Sequence, residues 1–165
     1  MMRALDTWWD GRLVGRLTQN KHGELAFAYA PDWLNDEDAR ALSASLPKRS
    51  QPFTRRECRP FFGGLLPEES QRDAAAHALG VSSSNDFALL DRLGGEVAGA
   101  LQLLPPGEPP TSPAVDRPPV PLDDAGLIRV LDALPVRPLL AGEQGLRLSL
   151  AGAQSKVPVV LVGDA

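Results

Sequence analysis

Leu5-Asp6-Thr7-Trp8-Trp9-Asp10-Gly11-Arg12-Leu13-Val14-Gly15-Arg16-Leu17 sets two short apolar-rich runs on either side of an Asp-Gly pair. A two-residue turn that matches the twist of its flanking strands needs positive φ, which glycine adopts freely and aspartate tolerates. The pair therefore predicts a hairpin with strands at 5–9 and 12–17. Leu25-Ala26-Phe27-Ala28-Tyr29 follows a second turn at His22-Gly23 and predicts a third strand. The chain opens as an antiparallel meander. Trp8, Trp9 and Trp33 are expected to pack in the core of that sheet rather than to form a ligand platform.

Helical signals follow the meander. Asp36, Glu37 and Asp38 suit the first turn of a helix, where the macrodipole favours negative charge. Thr54-Arg55-Arg56-Glu57 has capping-box spacing, with Pro60 predicting a helix that is short, kinked or late to start. Residues 68–79 read as helix with Gly80 at the stop. Residues 86–93 read as another, capped by Asp86, with Phe87, Leu90 and Leu93 on one face and Gly94-Gly95 ending it. Residues 97–104 should return as a strand. Residues 105–121 hold eight of the sixteen prolines and read as an extended linker. Residues 122–134 resume as an amphipathic helix with Leu127, Ile128, Leu131 and Leu134 on a common face.

A chain of 165 residues, 43% hydrophobic, is long enough for one domain or for one domain and the start of a second. Its net charge of −4 gives no general attraction for phosphate backbones, so direct nucleic-acid binding is not supported. Arg55, Arg56 and Arg59 are expected to form a solvated helix face. Cys58 is the single cysteine, which excludes an internal disulfide and a cysteine zinc site and fits a reducing cytoplasm. His22 and His77 lack metal-ligand neighbours at useful spacing. The first ten residues carry Arg3, Asp6 and Asp10 and no signal-peptide core, and no run is long enough to span a bilayer. The expectation is a soluble cytoplasmic protein with no membrane partner.

Near the end of the chain, Arg147-Leu148-Ser149-Leu150-Ala151-Gly152-Ala153-Gln154-Ser155-Lys156 leads into Val157-Pro158-Val159-Val160-Leu161-Val162. Small residues between two apolar runs let backbone N–H groups approach an anion, and Lys156 adds a positive charge. The segment matches neither G-x-G-x-x-G nor G-x-x-x-x-G-K-[ST], so spacing alone leaves a plain hairpin loop with a solvated lysine as the alternative.

The string Arg-x-Ser-x-Ala-Gly-Ala-Gln-x-Lys resembles the glycine-rich loop of the HipA family, serine/threonine kinase toxins of bacterial type II toxin–antitoxin modules. Four upstream segments resemble the same family in the same order: Tyr29-Ala30-Pro31-Asp32-Trp33-Leu34, Leu42-Ser43-Ala44-Ser45-Leu46-Pro47, Phe61-Phe62-Gly63-Gly64-Leu65-Leu66-Pro67-Glu68 and the stretch 87–100. The resemblance implies an α+β fold: a small antiparallel sheet with packed helices, followed by the first glycine-rich-loop hairpin of a kinase-like domain. It implies an N-terminal subdomain at 1–104, the linker at 105–121, and a helix plus the start of the kinase-like domain at 122–165.

By the same resemblance, Ala151, Gly152, Ala153, Gln154, Ser155 and Lys156 fall on the nucleotide-binding loop and Ser149 on the autophosphorylated serine. The family's phosphate-pairing lysine would lie beyond Ala165. The complete enzyme would use ATP and Mg2+, with a helix-turn-helix antitoxin of the HipB type as partner and DNA reached only through it. An aminoacyl-tRNA synthetase is the implied substrate, and growth arrest with drug tolerance the implied outcome. The chain carries no His-Arg-Asp-type catalytic loop and no magnesium-binding Asp after the nucleotide loop. It is therefore expected to be the N-terminal part of such a kinase, unable by itself to transfer a phosphoryl group. The alternative is a stand-alone, non-catalytic module that binds or neutralises a separate kinase toxin.

Overall fold

A computed structural model describes residues 2–94, 101–110 and 121–133. The opening hairpin forms as its turn chemistry dictates: β1 (Arg3–Trp9) and β2 (Arg12–Gln19) pair antiparallel across Asp10 and Gly11, whose φ angles are +50° and +74°. The register shifts between Thr7 and Trp8, leaving Val14 as the extra residue of a β-bulge between Leu13 and Gly15. β3 (Leu25–Tyr29) follows Gly23, at φ +81°, and pairs with β2. β4 (Leu101–Leu104) adds to the free side of β1, giving the order β3-β2-β1-β4 with every pairing antiparallel. The predicted strand at 97–104 is thus a strand in its last four residues, 95–100 lying outside the described residues.

One face of this sheet carries the core. Leu5, Leu17 and Phe27 stand opposite one another on three successive strands and are fully buried. Phe27 meets the rings of Tyr29, Phe53 and Phe62 at centroid distances of 5.0, 6.3 and 5.1 Å. Gly15 is needed here, because a Cβ would sit 2.3 Å from the Ala28 carbonyl oxygen and 2.8 Å from the Phe27 ring. The Tyr29 hydroxyl accepts from the Leu42 amide at 2.9 Å and donates to the Leu46 carbonyl at 2.5 Å, tying the long loop after β3 onto the sheet.

Helices pack on this face, and the first four supply side chains to its core. α1 (Pro31–Asn35) is a single turn that starts with proline, whose missing N–H costs nothing there. α2 (Arg55–Gly63) continues through Pro60 for nine residues, the short option of the sequence reading. α3 (Glu69–Leu79) stops at Gly80, which takes the left-handed conformation at φ +66°. α4 (Asp86–Leu93) buries Phe87, Leu89 and Leu90, and Gly94 at its end lies against β4, where a Cβ would come within 2.8 Å of Leu103. α5 (Asp124–Ala133) starts with the Asp123 side chain accepting the Gly126 amide at 2.7 Å. Among the described residues no helix is long and apolar enough to cross a membrane.

Three expectations need correction. Trp9 packs on the core, stacked on Trp33 at 6.0 Å, but strand alternation turns the half-buried Trp8 to the opposite face. Asp36, Glu37 and Asp38 do not begin a helix. Asp36 instead accepts the Asp38 amide at 2.9 Å in an Asx-type turn and pairs with Arg12. Asn85, and not Asp86, caps α4, its side chain accepting the Ala88 amide at 3.1 Å. The helix expected at 122–134 forms as α5, with Leu127 half-buried and Ile128 and Leu131 exposed, while Leu134 lies outside the described residues.

Candidate functional site

The loop residues Ala151, Gly152, Ala153, Gln154, Ser155 and Lys156, together with Ser149, lie outside the described residues. What the described residues do assemble is a cleft of about 670 Å³ between α2, α3 and α4. It is lined by Arg55, Arg56, Arg59, Pro60, Gly63, Arg72 and Asp86.

Its construction starts at the first turn of α2. The Glu57 carboxylate accepts both the Thr54 amide and the Thr54 hydroxyl at 2.8 Å, and Arg49 donates to its other oxygen at 2.8 Å. The Thr54 hydroxyl points at the carboxylate, while the Glu57 amide bonds the Thr54 carbonyl at 3.0 Å. The backbone and hydroxyl bonds from Thr54, then Arg49, hold the Glu57 carboxyl down at about 2, against an ordinary 4.5. A depressed carboxyl contributes stability that is complete above its unfolded value and is lost as pH falls through its folded value. Acid melting curves should therefore show the wild type losing stability between pH 4.5 and about 2 more steeply than Glu57→Gln. Parallel curves would show that the carboxylate contributes nothing.

With α2 anchored, Arg55, Arg56 and Arg59 fall on its exposed side, while Cys58 and Phe62 face the core. Burial raises the Cys58 thiol to about 11, so it stays protonated at neutral pH and serves packing. Asp86 closes the cleft from α4. It is 4% exposed, and its two oxygens hold two arginines: Arg59 Nε donates to Oδ2 at 2.7 Å, and Arg72 donates to Oδ1. Arg72 Nε also donates to the Ser83 carbonyl at 2.6 Å, which fixes α3 to the loop before α4. Arg59 is therefore no simple solvated side chain, as the sequence reading had it, but one arm of a bridge centred on a buried carboxylate. That reading missed Asp86 and Arg72. A visible signal was the redundancy of Asn85-Asp86, two capping residues where one suffices.

A model of the HipA N-terminal domain matches residues 5–104, the span that holds the sheet and the three helices that build this cleft. The chain belongs to the HipA family. It is 68% identical over 163 residues to the protein named "Putative kinase Y4mE" of Sinorhizobium fredii, covering 98% of this chain and 39% of that one. It is 28% identical over 146 residues to the serine/threonine-protein kinase toxin HipA of Shewanella oneidensis, covering 88% and 32% respectively. Among solved structures it is similar to the Shewanella oneidensis complex of HipA, HipB and operator DNA, with a TM-score of 0.65 and 26% identity, covering 90% of this chain and 33% of that one. The chain thus spans well under half the length of these relatives.

Proposed function

We propose that this HipA-family chain is the N-terminal segment of a serine/threonine kinase toxin and contributes the ATP-phosphate loop and an autophosphorylated serine. The observation that carries the reading is the 68% identity, over 98% of the chain, to a longer protein named "Putative kinase Y4mE". In this reading Ala151, Gly152, Ala153, Gln154, Ser155 and Lys156 form the turn of the first kinase-domain hairpin, where backbone amides hold the phosphates of Mg2+-bound ATP. Gly152 keeps the backbone accessible, and Lys156 adds charge beside it. Ser149 receives the γ-phosphoryl group on its hydroxyl. The nearly two negative charges then added beside an anion-binding loop would oppose nucleotide binding.

The similarity to a HipA–HipB–DNA complex supports an antitoxin of the HipB type as partner, with DNA reached through it. An aminoacyl-tRNA synthetase as substrate rests on the family resemblance alone. In a chain extended to the length of its relatives, Gly152→Val is expected to weaken ATP binding by about tenfold or more; undiminished affinity by calorimetry would sink the loop assignment. Incubation of the same protein with ATP and Mg2+ should place phosphate on Ser149. Mass spectra with phosphate elsewhere and none on Ser149 would remove the switch.

A further inference from the structure

We propose that the cleft between α2, α3 and α4 is a binding site for a phosphate group, free or carried on a protein as a monoester. Four guanidinium groups line it, from Arg55, Arg56, Arg59 and Arg72, against the single carboxylate of Asp86. Local physics opposes this arrangement. Arg55 and Arg56 occupy the first two positions of α2, where the helix dipole disfavours cations, and Arg59 lies one turn on from both, where like charges repel. A protein of net charge −4 thus concentrates positive charge at one concave spot, where nothing in the helix itself rewards it.

The hydrogen bonds in the cleft leave donors for a guest. Arg59 bonds Asp86 through Nε alone, so its two terminal nitrogens remain, and Arg55 and Arg56 make no hydrogen bond or ion pair among the described residues. Asp86 holds Arg59 and Arg72 in place. It pre-orients two planar forks, and such forks match the oxygens of a phosphate in bidentate geometry. The positive charge is gathered in a cleft rather than drawn out as a stripe, and the chain as a whole is acidic. Both features favour a compact dianion over the backbone of a nucleic acid.

The test is titration of the 165-residue protein with three probes: inorganic phosphate, a neutral phosphoserine peptide and the unphosphorylated form of that peptide. Binding would be followed by calorimetry and by the arginine side-chain N–H resonances. Saturable binding of phosphate or phosphopeptide, weakening with added salt, is expected. The double variant Arg55→Gln, Arg56→Gln should bind about tenfold or more weakly with a Tm no lower than that of the wild type, because neither side chain is tied into the fold and both oppose the helix dipole. Arg92→Gln, an exposed cation elsewhere on α4, should bind as the wild type does. Equal affinity for the two phosphorylated probes assigns the site to a free anion, and preference for the phosphopeptide assigns it to a phosphorylated protein; either upholds the proposal. Absence of saturable binding overturns it, as does affinity unchanged in the double variant. Duplex DNA bound more tightly and not displaced by phosphate would overturn it too.

Discussion

Phe27→Ala is expected to lower the free energy of unfolding by about 4 kcal/mol, the range for deleting a buried phenylalanine being roughly 3–5. For a chain of this size that corresponds to a Tm drop of about 8–16 °C. Phe27 is fully buried at the centre of the core face, where β3 meets β2 on one side and Phe53 on the other. Its own amide and carbonyl bond Phe53 at 3.0 and 2.7 Å, so the backbone is held on both flanks and the site has little freedom to collapse around a lost ring. The rings of Tyr29, Phe53 and Phe62 would face the cavity directly. Calorimetric or denaturant unfolding checks the value. A loss below about 1 kcal/mol would mean that the core repacks freely, and the aromatic cluster would no longer be what holds the helices on the sheet. Phe27→Leu, which keeps most of the volume, should cost clearly less.

Asp86→Ala should cost about 2–3 kcal/mol, at or below the lower end for breaking a buried ion pair. The carboxylate is almost wholly buried, but the side chain of Arg72 is 19% exposed and that of Arg59 48%. The orphaned guanidiniums therefore recover part of their hydration, which tempers the loss. Asp86→Asn should cost nearly as much, since the amide keeps the shape and removes the charge that two arginines share. Arg59→Ala should cost far less, because Arg72 still satisfies the carboxylate. Denaturant unfolding of the three variants settles the ranking. Should Arg59→Ala prove as harmful as Asp86→Ala, the bridge would depend on the exposed arm and not on the buried carboxylate. The same carboxylate links α2, α3 and α4, so its loss should also loosen the cleft they form.

The elements that could be read in the chain are those whose causes lie within a few residues. Asp10-Gly11 specifies a hairpin because two adjacent positive φ angles are demanded there and these residues supply them. Gly80 ends α3 because the left-handed conformation carries no Cβ penalty in glycine. Thr54 and Glu57 start α2 through bonds three residues apart. Local signals do not decide the outcome where two devices compete. Asn85 and Asp86 are both capable caps, and Asn85 takes that role because Asp86 is engaged by arginines from α2 and α3. Asp36 likewise serves a turn and an ion pair with Arg12 rather than a helix start.

The cleft was illegible for the same reason. Arg55, Arg56 and Arg59 are neighbours in the chain and look like an ordinary wet helix face. Arg72 and Asp86 reach them only because α3 and α4 pack beside α2, across sequence separations that no periodicity reports. From the sequence alone came the antiparallel meander, the helix stops and the family, since turn chemistry, capping and ordered motifs are local and additive. The tertiary structure alone decided that β4 joins the free side of β1, that Trp9 rather than Trp8 enters the core, and that four arginines converge around one buried carboxylate. Those outcomes depend on which distant surfaces meet. That meeting is governed by the burial of apolar area across the whole sheet face, a quantity no short stretch of residues contains.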